Sequence, residues 1–142
     1  MSIDHLEKLF SPRSVAVIGA TPREGAIGRA VMEQLLTGGF DGPVWPVNPK
    51  HQTLMELTVH PGVGALPEAP DLAVIATPAR TIPEIVEQLG TLGCRAAIVL
   101  SGGLEPDTPG RSAMLQAAAA HGMRIVGPDC IGVIRPGRKL NA

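Results

Sequence analysis

The chain alternates between short, almost wholly apolar runs and longer stretches in which apolar residues recur every three or four positions. The run SVAVIGA (14–20) is β-branched and uninterrupted, which predicts a strand buried on both faces. From 25 to 37, Ile27, Ala30, Val31 and Leu35 share a helical face, and Gly38 and Gly39 end the helix. PVWPVNP (43–49) predicts a second strand, stopped by Pro49. The segment onward to Pro70 carries mixed signals and reads as irregular, with room for a short strand and a turn. DLAVIATPA (71–79) predicts a third strand. Thr81 and Glu84 have the spacing of a capping box, with Pro83 early in the helix. Ile82, Ile85, Val86, Leu89 and Leu92 line one face of that helix, and Gly93 closes it. RAAIVLSGG (95–103) predicts the fourth strand. Thr108 and Pro109 open an Ala-rich helix running to Gly122, and MRIVG (123–127) predicts the fifth strand, followed by PDCIGVIRPG.

Near-continuous apolar strands alternating with helices imply a parallel sheet covered on both faces. Right-handed crossovers then make it a doubly wound, Rossmann-like α/β domain of three layers. We read residues 1–13 as a helical lead-in, with Leu6, Leu9 and Phe10 packing on the body, and 14–142 as the domain. The tail GRKLNA offers no helix or charged end to finish the domain, so the chain reads as a piece of a longer one.

Composition narrows the function. The net charge is −1 and the Lys and Arg residues are scattered, which argues against a nucleic-acid footprint. With two Phe, one Trp and no Tyr, there is little to stack bases on. Cys94 and Cys130 make neither a metal set nor a disulfide framework and are expected as reduced thiols of a cytoplasmic protein. MSIDHLEKLFSPR lacks the apolar core of a signal peptide, and no run is long enough to span a membrane.

In open α/β sheets ligands bind at the C-terminal strand ends. Those ends carry Gly19, Ala20 and Thr21; Asn48, Pro49 and Lys50; Thr77, Pro78 and Ala79; Ser101, Gly102 and Gly103; and Gly127, Pro128, Asp129 and Cys130. Each set is what turns need anyway. All five along one edge would let a long ligand lie against backbone. The glycines of the first turn, Gly19, Gly25 and Gly28, miss the G-x-G-x-x-G spacing of NAD sites. The second strand ends in Asn48 and Lys50 where NAD recognition wants an acid. The turn therefore reads as phosphate-binding through backbone N–H groups and a helix N-terminus, with Lys50 favouring an additional anion. NADP or coenzyme A (CoA) would supply it.

The stretches LEKLFSPRSVAVIGAT, GAIG, GGFDGPVWPVNPK, LPEAPDLAVIATPA, GCRAAIVLSGG and GMRIVGPDCIGV…LNA cover nearly the whole chain. In order and spacing they resemble the N-terminal CoA-binding domain of the ADP-forming acyl-CoA synthetase superfamily. That superfamily includes the succinyl-CoA synthetase α subunit and related bacterial protein lysine acetyltransferases. The resemblance implies CoA or acyl-CoA along the sheet edge. Gly19, Ala20, Thr21, Ile27 and Gly28 would line the phosphates, and Asn48, Pro49 and Lys50 would meet the adenosine and 3′-phosphate. Thr77, Pro78 and Ala79 would border the pantetheine, with Ser101, Gly102, Pro128, Asp129 and Cys130 nearer the thiol. The family commonly has Asn where Asp129 stands, and an ionised Asp accepts but does not donate.

No catalytic or metal constellation stands out. His5 and His121 are expected to face solvent; His51 and His60 fall in the irregular segment, with His51 placed to approach a phosphate. The resemblance assigns ATP/ADP and Mg chemistry to downstream domains, so this chain is expected to bind without turning over. An NAD(P)-binding module and a non-catalytic acyl-CoA sensor are the competing readings.

Overall fold

A computed structural model describes residues 3–142; Met1 and Ser2 of the predicted lead-in lie outside the described residues. The five predicted strands form one parallel sheet: β1 (Val15–Ile18), β2 (Val44–Val47), β5 (Leu72–Ile75), β6 (Ala96–Val99) and β7 (Arg124–Val126), in spatial order β2-β1-β5-β6-β7. The interior strand β1 runs level with both neighbours: Val15 pairs with Val44 and Leu72, and Ile18 with Val47 and Ile75. The strand ends therefore reach one edge together. Pro46 sits in β2, an edge strand, where its missing N–H costs the ladder least.

Alternation sorts the side chains to two cores. Val15 and Val17 of β1 face α2 (Ile27–Thr37), which packs Val31, Met32 and Leu35 on that side. Ala16 and Ile18 point the other way, toward α3 (Ile82–Leu92) and α4 (Pro109–Ala120), through Ile82, Val86, Leu89, Met114 and Ala118. The chain runs outward from β1 to β2, then crosses back to β5 and runs the other way. Right-handed connections in opposite directions put their helices on opposite faces. This is the doubly wound, three-layer α/β fold expected from the pattern.

Several local expectations need correction. The helix α2 begins at Ile27, not Gly25, because Gly25 adopts φ +78° in the preceding loop. The capping box at Thr81 does not form. Thr81 is itself helical, and its hydroxyl donates 2.6 Å to the Pro78 carbonyl, closing a 3-10 turn (Ala79–Thr81) ahead of α3. Thr108, in contrast, caps α4 by accepting from the Arg111 N–H. In the lead-in helix α1 (Leu6–Phe10), Leu9 is buried, Leu6 is half-buried and Phe10 is exposed, since a five-residue helix turns only one side chain fully inward.

His121 does not simply face solvent. It lies 2.9 Å from Glu87, and its ring covers Gly90, where a Cβ would sit 2.4 Å from the ring. His5 is half-buried as the left-handed N-cap of α1. The tail is not ragged. A hairpin of β8 (Ile134–Arg135) and β9 (Leu140–Asn141) folds it back, and Leu140 and Ala142 join the α2-side core at 1% and 5% exposure. The irregular segment contains a two-residue hairpin, β3 (Thr53–Leu54) with β4 (Leu57–Thr58), and a 3-10 turn (Val63–Ala65). Among the described residues no helix is long and apolar enough to cross a membrane.

Candidate functional site

At the C-terminal edge the loops after β1, β2 and β5 part around a cleft of about 1070 Å³. It lies beside β1, where the connections leave for opposite faces, the switch point at which doubly wound sheets take ligands. Of the predicted site residues, Gly19, Thr21, Ile27, Gly28, Asn48, Pro49, Lys50, Thr77 and Pro78 line it. Ala20 is buried in the α2-side core, and Ala79 is half-buried against the α3-side core. Ser101, Gly102, Pro128, Asp129 and Cys130 lie outside the cleft, at the ends of β6 and β7.

The glycines hold the cleft floor. Gly19 has φ +94° and comes so close to β5 that a Cβ would meet the Ala76 carbonyl oxygen at 2.6 Å. A Cβ on Gly28 would fall 2.0 Å from the Gly19 carbonyl oxygen, so α2 can seat on the turn only through a glycine. The spacing that fails as an NAD fingerprint is a packing requirement here. Ala26, the N-cap of α2, supplies no side-chain acceptor, and the first turn holds no acid. The positive end of α2 is thus left for an anion from elsewhere.

Two struts hold the loops apart. Asn48 donates from Nδ2 to the Ala20 carbonyl (2.9 Å) and accepts from the Lys50 N–H at Oδ1 (2.8 Å). It ties the first loop to the second and shapes the turn that presents Lys50. Arg29 on α2 is held at 2.7 Å by Glu33 and donates 2.6 Å to the Pro22 carbonyl. Glu33 raises the Arg29 pKa further, so the guanidinium stays charged. This strut pins the loop carrying Thr21 to Gly25.

The structure adds residues that the pattern did not single out. Arg23 follows the glycine turn, and Arg80 lies on the 3-10 turn after β5; both are exposed cleft residues. With Lys50 they give three cations, with His51 beside them, and no Asp or Glu lines the cleft. A basic residue in the loop after a strand end was a readable signal. Pro61, Gly62 and Val63 form another wall. They come from the irregular segment, where a parallel bridge between Val47 and His60 brings the chain back alongside β2. Nothing local announced that. Ile85 and Gln88 reach the cleft from α3.

The far ends of the sheet edge are built differently. Asp129, at φ +54°, donates its N–H to the Ser101 carbonyl, and its carboxylate lies against Gly102. The Cys130 thiol donates to the Val99 carbonyl at 3.4 Å. Cys94 is buried under α3, where burial pushes its thiol up to about 11. Among the described residues no three His, Cys, Asp or Glu side chains gather as a metal site.

A doubly wound sheet with an uncapped helix start and unpaired cations at its switch point defines a nucleotide-binding α/β domain. Comparison with known proteins specifies which one. A family model described as "CoA binding domain" matches residues 13–136, and the chain belongs to that family. It is 38% identical over 141 residues to acetate–CoA ligase (ADP-forming) I of Archaeoglobus fulgidus, covering 96% of this chain and 20% of that protein. It is 37% identical to the α subunit of acetate–CoA ligase (ADP-forming) I of Pyrococcus furiosus, covering 96% of this chain and 31% of that subunit. Among solved structures, the dinucleotide-forming acetyl-coenzyme A synthetase 1 of Ca. Korarchaeum cryptofilum, in complex with phosphate and ADP, superposes with a TM-score of 0.91 at 33% identity. It covers 96% of this chain and 30% of that one. The chain thus spans a fifth to a third of these relatives.

Proposed function

We propose that this chain binds coenzyme A or an acyl-CoA, with the nucleotide end in the cleft and the pantetheine running along the sheet edge. Gly19, Thr21 and the start of α2 receive the diphosphate, and Lys50 the 3′-phosphate. Thr77, Pro78 and Ala79 border the pantetheine, and Ser101, Gly102, Pro128, Asp129 and Cys130 flank its thiol end. Asn48 serves this site as a strut, since both ends of its amide are already engaged. Residues 14–142 act as the binding unit and 1–13 as its lead-in.

The observation that carries this reading is the carboxylate-free cleft with Lys50 at the end of β2. An NAD site would place an acid there for the ribose hydroxyls, whereas a 3′-phosphate needs a cation. The matched relatives favour a ligase setting over an acetyltransferase one. In that setting other domains in the cytoplasm carry ATP, ADP and Mg chemistry, and this domain presents the thiol without turnover of its own.

Titration calorimetry with CoA, dephospho-CoA and NADH tests the assignment. CoA is expected to bind about tenfold or more tightly than dephospho-CoA, from loss of a charge-assisted contact. Equal binding of the two removes the role given to Lys50, and preference for NADH overturns the CoA reading.

A further inference from the structure

We propose that the wall of the cleft at the end of β5 accepts a hydrogen bond from a ligand amide, with Thr77 as the acceptor and Thr81 as the positioning residue that sets its direction. This rests on the placement of the pantetheine beside Thr77. Three oxygens in a row decide the direction. Thr77 and Thr81 both line the cleft and are half-buried. Their hydroxyl oxygens lie 2.8 Å apart, and the Thr81 oxygen also lies 2.6 Å from the Pro78 carbonyl oxygen. Each contact is a hydrogen bond and needs its own proton. A carbonyl has none to give, whereas between two hydroxyls either can donate. The Thr81 proton therefore goes to Pro78, and the proton between the two threonines comes from Thr77.

That order leaves Thr77 with lone pairs only. Its one proton is engaged inside the wall, so its oxygen accepts from a ligand and does not donate to it. Two further contacts hold the relay. The Pro78 carbonyl also accepts from the Thr81 N–H at 2.9 Å, which fills both of its lone pairs and anchors the Thr81 backbone. The Thr77 methyl packs by the glycine turn, where a Cβ on Gly19 would come within 3.0 Å of it. A β-branched side chain with its methyl held in place has its hydroxyl held too. The next residue, Pro78, has no N–H, so the backbone adds no donor there. The start of α2, with its free N–H groups, suits an anion; the end of β5 suits a neutral donor. The pantetheine arm of CoA carries two amides in its middle, the part that passes β5 when the nucleotide end lies in the cleft and the thiol end lies beyond it.

Replacing an amide by an ester exchanges the N–H for an oxygen and changes little else. CoA and its two single-ester analogues are titrated calorimetrically into the chain. One analogue is expected to bind about tenfold or more weakly than CoA, because a bond is lost and two acceptors are set against each other. Thr77→Val is expected to weaken CoA about fivefold and to bring that analogue within about twofold of it. In Thr81→Val the Thr77 proton loses its acceptor and becomes available to the ester oxygen, so the gap is expected to shrink to about threefold. Thr81→Ser keeps the hydroxyl and the full gap. A purely structural Thr81 would weaken CoA and both analogues alike. Melting by circular dichroism checks that the variants fold; Thr81→Ala replaces Thr81→Val if that variant does not, and the wild-type comparison needs no variant. Both analogues binding like CoA overturns the proposal, as does a gap unchanged in Thr77→Val, and a gap unchanged in Thr81→Val overturns the relay. CoA separates this from the reading beneath it. If CoA binds and the esters bind equally, the CoA site stands and the acceptor falls; if CoA does not bind, both fall.

Discussion

The two halves of the sheet's C-terminal edge have similar compositions and different structures. The β1, β2 and β5 ends open into a cleft with unpartnered cations, whereas the β6 and β7 ends form a ledge closed by their own contacts. Both halves are rich in Gly, Pro and small polar residues. The difference is topological. Chain leaves β1 for one face and β5 for the other, so their loops diverge. From β5 through β6 to β7 both helices, α3 and α4, lie on the same face and nothing pulls the loops apart. Turn composition marks where a site can be; the direction of the crossovers decides where it opens.

Glycine substitutions break this comparison most sharply. Gly28→Ala places a Cβ 2.0 Å from a backbone oxygen that cannot swing aside. Urea unfolding is expected to show a loss of about 3 kcal/mol, with CoA binding lost as α2 lifts from the turn. On the ledge, the Cβ of Gly102→Ala would meet the Asp129 carboxylate at an ordinary 3.5 Å. There the change is expected to stay within about 0.5 kcal/mol. Similar losses at both positions would dissolve the distinction.

The Arg29 strut sharpens it next. The double variant Arg29→Gln/Glu33→Gln keeps the net charge and a helical pair but removes the bond to Pro22. Its stability is expected within about 0.5 kcal/mol of wild type, with CoA affinity about fivefold weaker. Glu33→Gln alone leaves the Pro22 bond in place and is expected to bind nearly normally. If affinity follows the Glu33 change instead, the strut is a helix pair and nothing more.

At the opposite, N-terminal edge lies a purely structural charge cluster, which serves as a control. Burial raises the Asp71 pKa, but the Arg13 backbone N–H, Lys8 and the Arg13 side chain together outweigh it and hold the carboxyl below its usual 3.8. A lowered folded pKa stabilises above pH 3.8 and loses that contribution as pH falls through the folded value. Asp71→Asn is expected to cost under about 1 kcal/mol at neutral pH. It should also flatten the decline in stability below pH 4, measured by urea unfolding across pH, without changing CoA affinity.

The smallest effect is chemical. At pH 8, a thiol held at about 11 is only about one part in a thousand thiolate. A thiol-reactive dye is therefore expected to label Cys130 on the ledge and leave Cys94 untouched until the chain unfolds. Bound CoA is expected to slow the labelling of Cys130. Unchanged labelling would put the pantetheine elsewhere.

Much of this was legible before any coordinates. Five apolar runs at regular intervals required a covered parallel sheet, because strands with no polar face must be buried on both sides. The glycine turn and the basic end of β2 were legible because those properties are local: a backbone conformation and a charge at a strand end. Tertiary structure alone decided the rest. Thr81 and Thr108 open helices with similar motifs, yet only Thr108 caps, because the Pro78 carbonyl captures the Thr81 hydroxyl. The tail that seemed unfinished supplies Leu140 to the core, through contacts with residues a hundred positions away. Arg23, Lys50 and Arg80 are far apart in the chain and ordinary one by one. They line one cleft because three strand ends reach the same edge in register, and no carboxylate lines it with them.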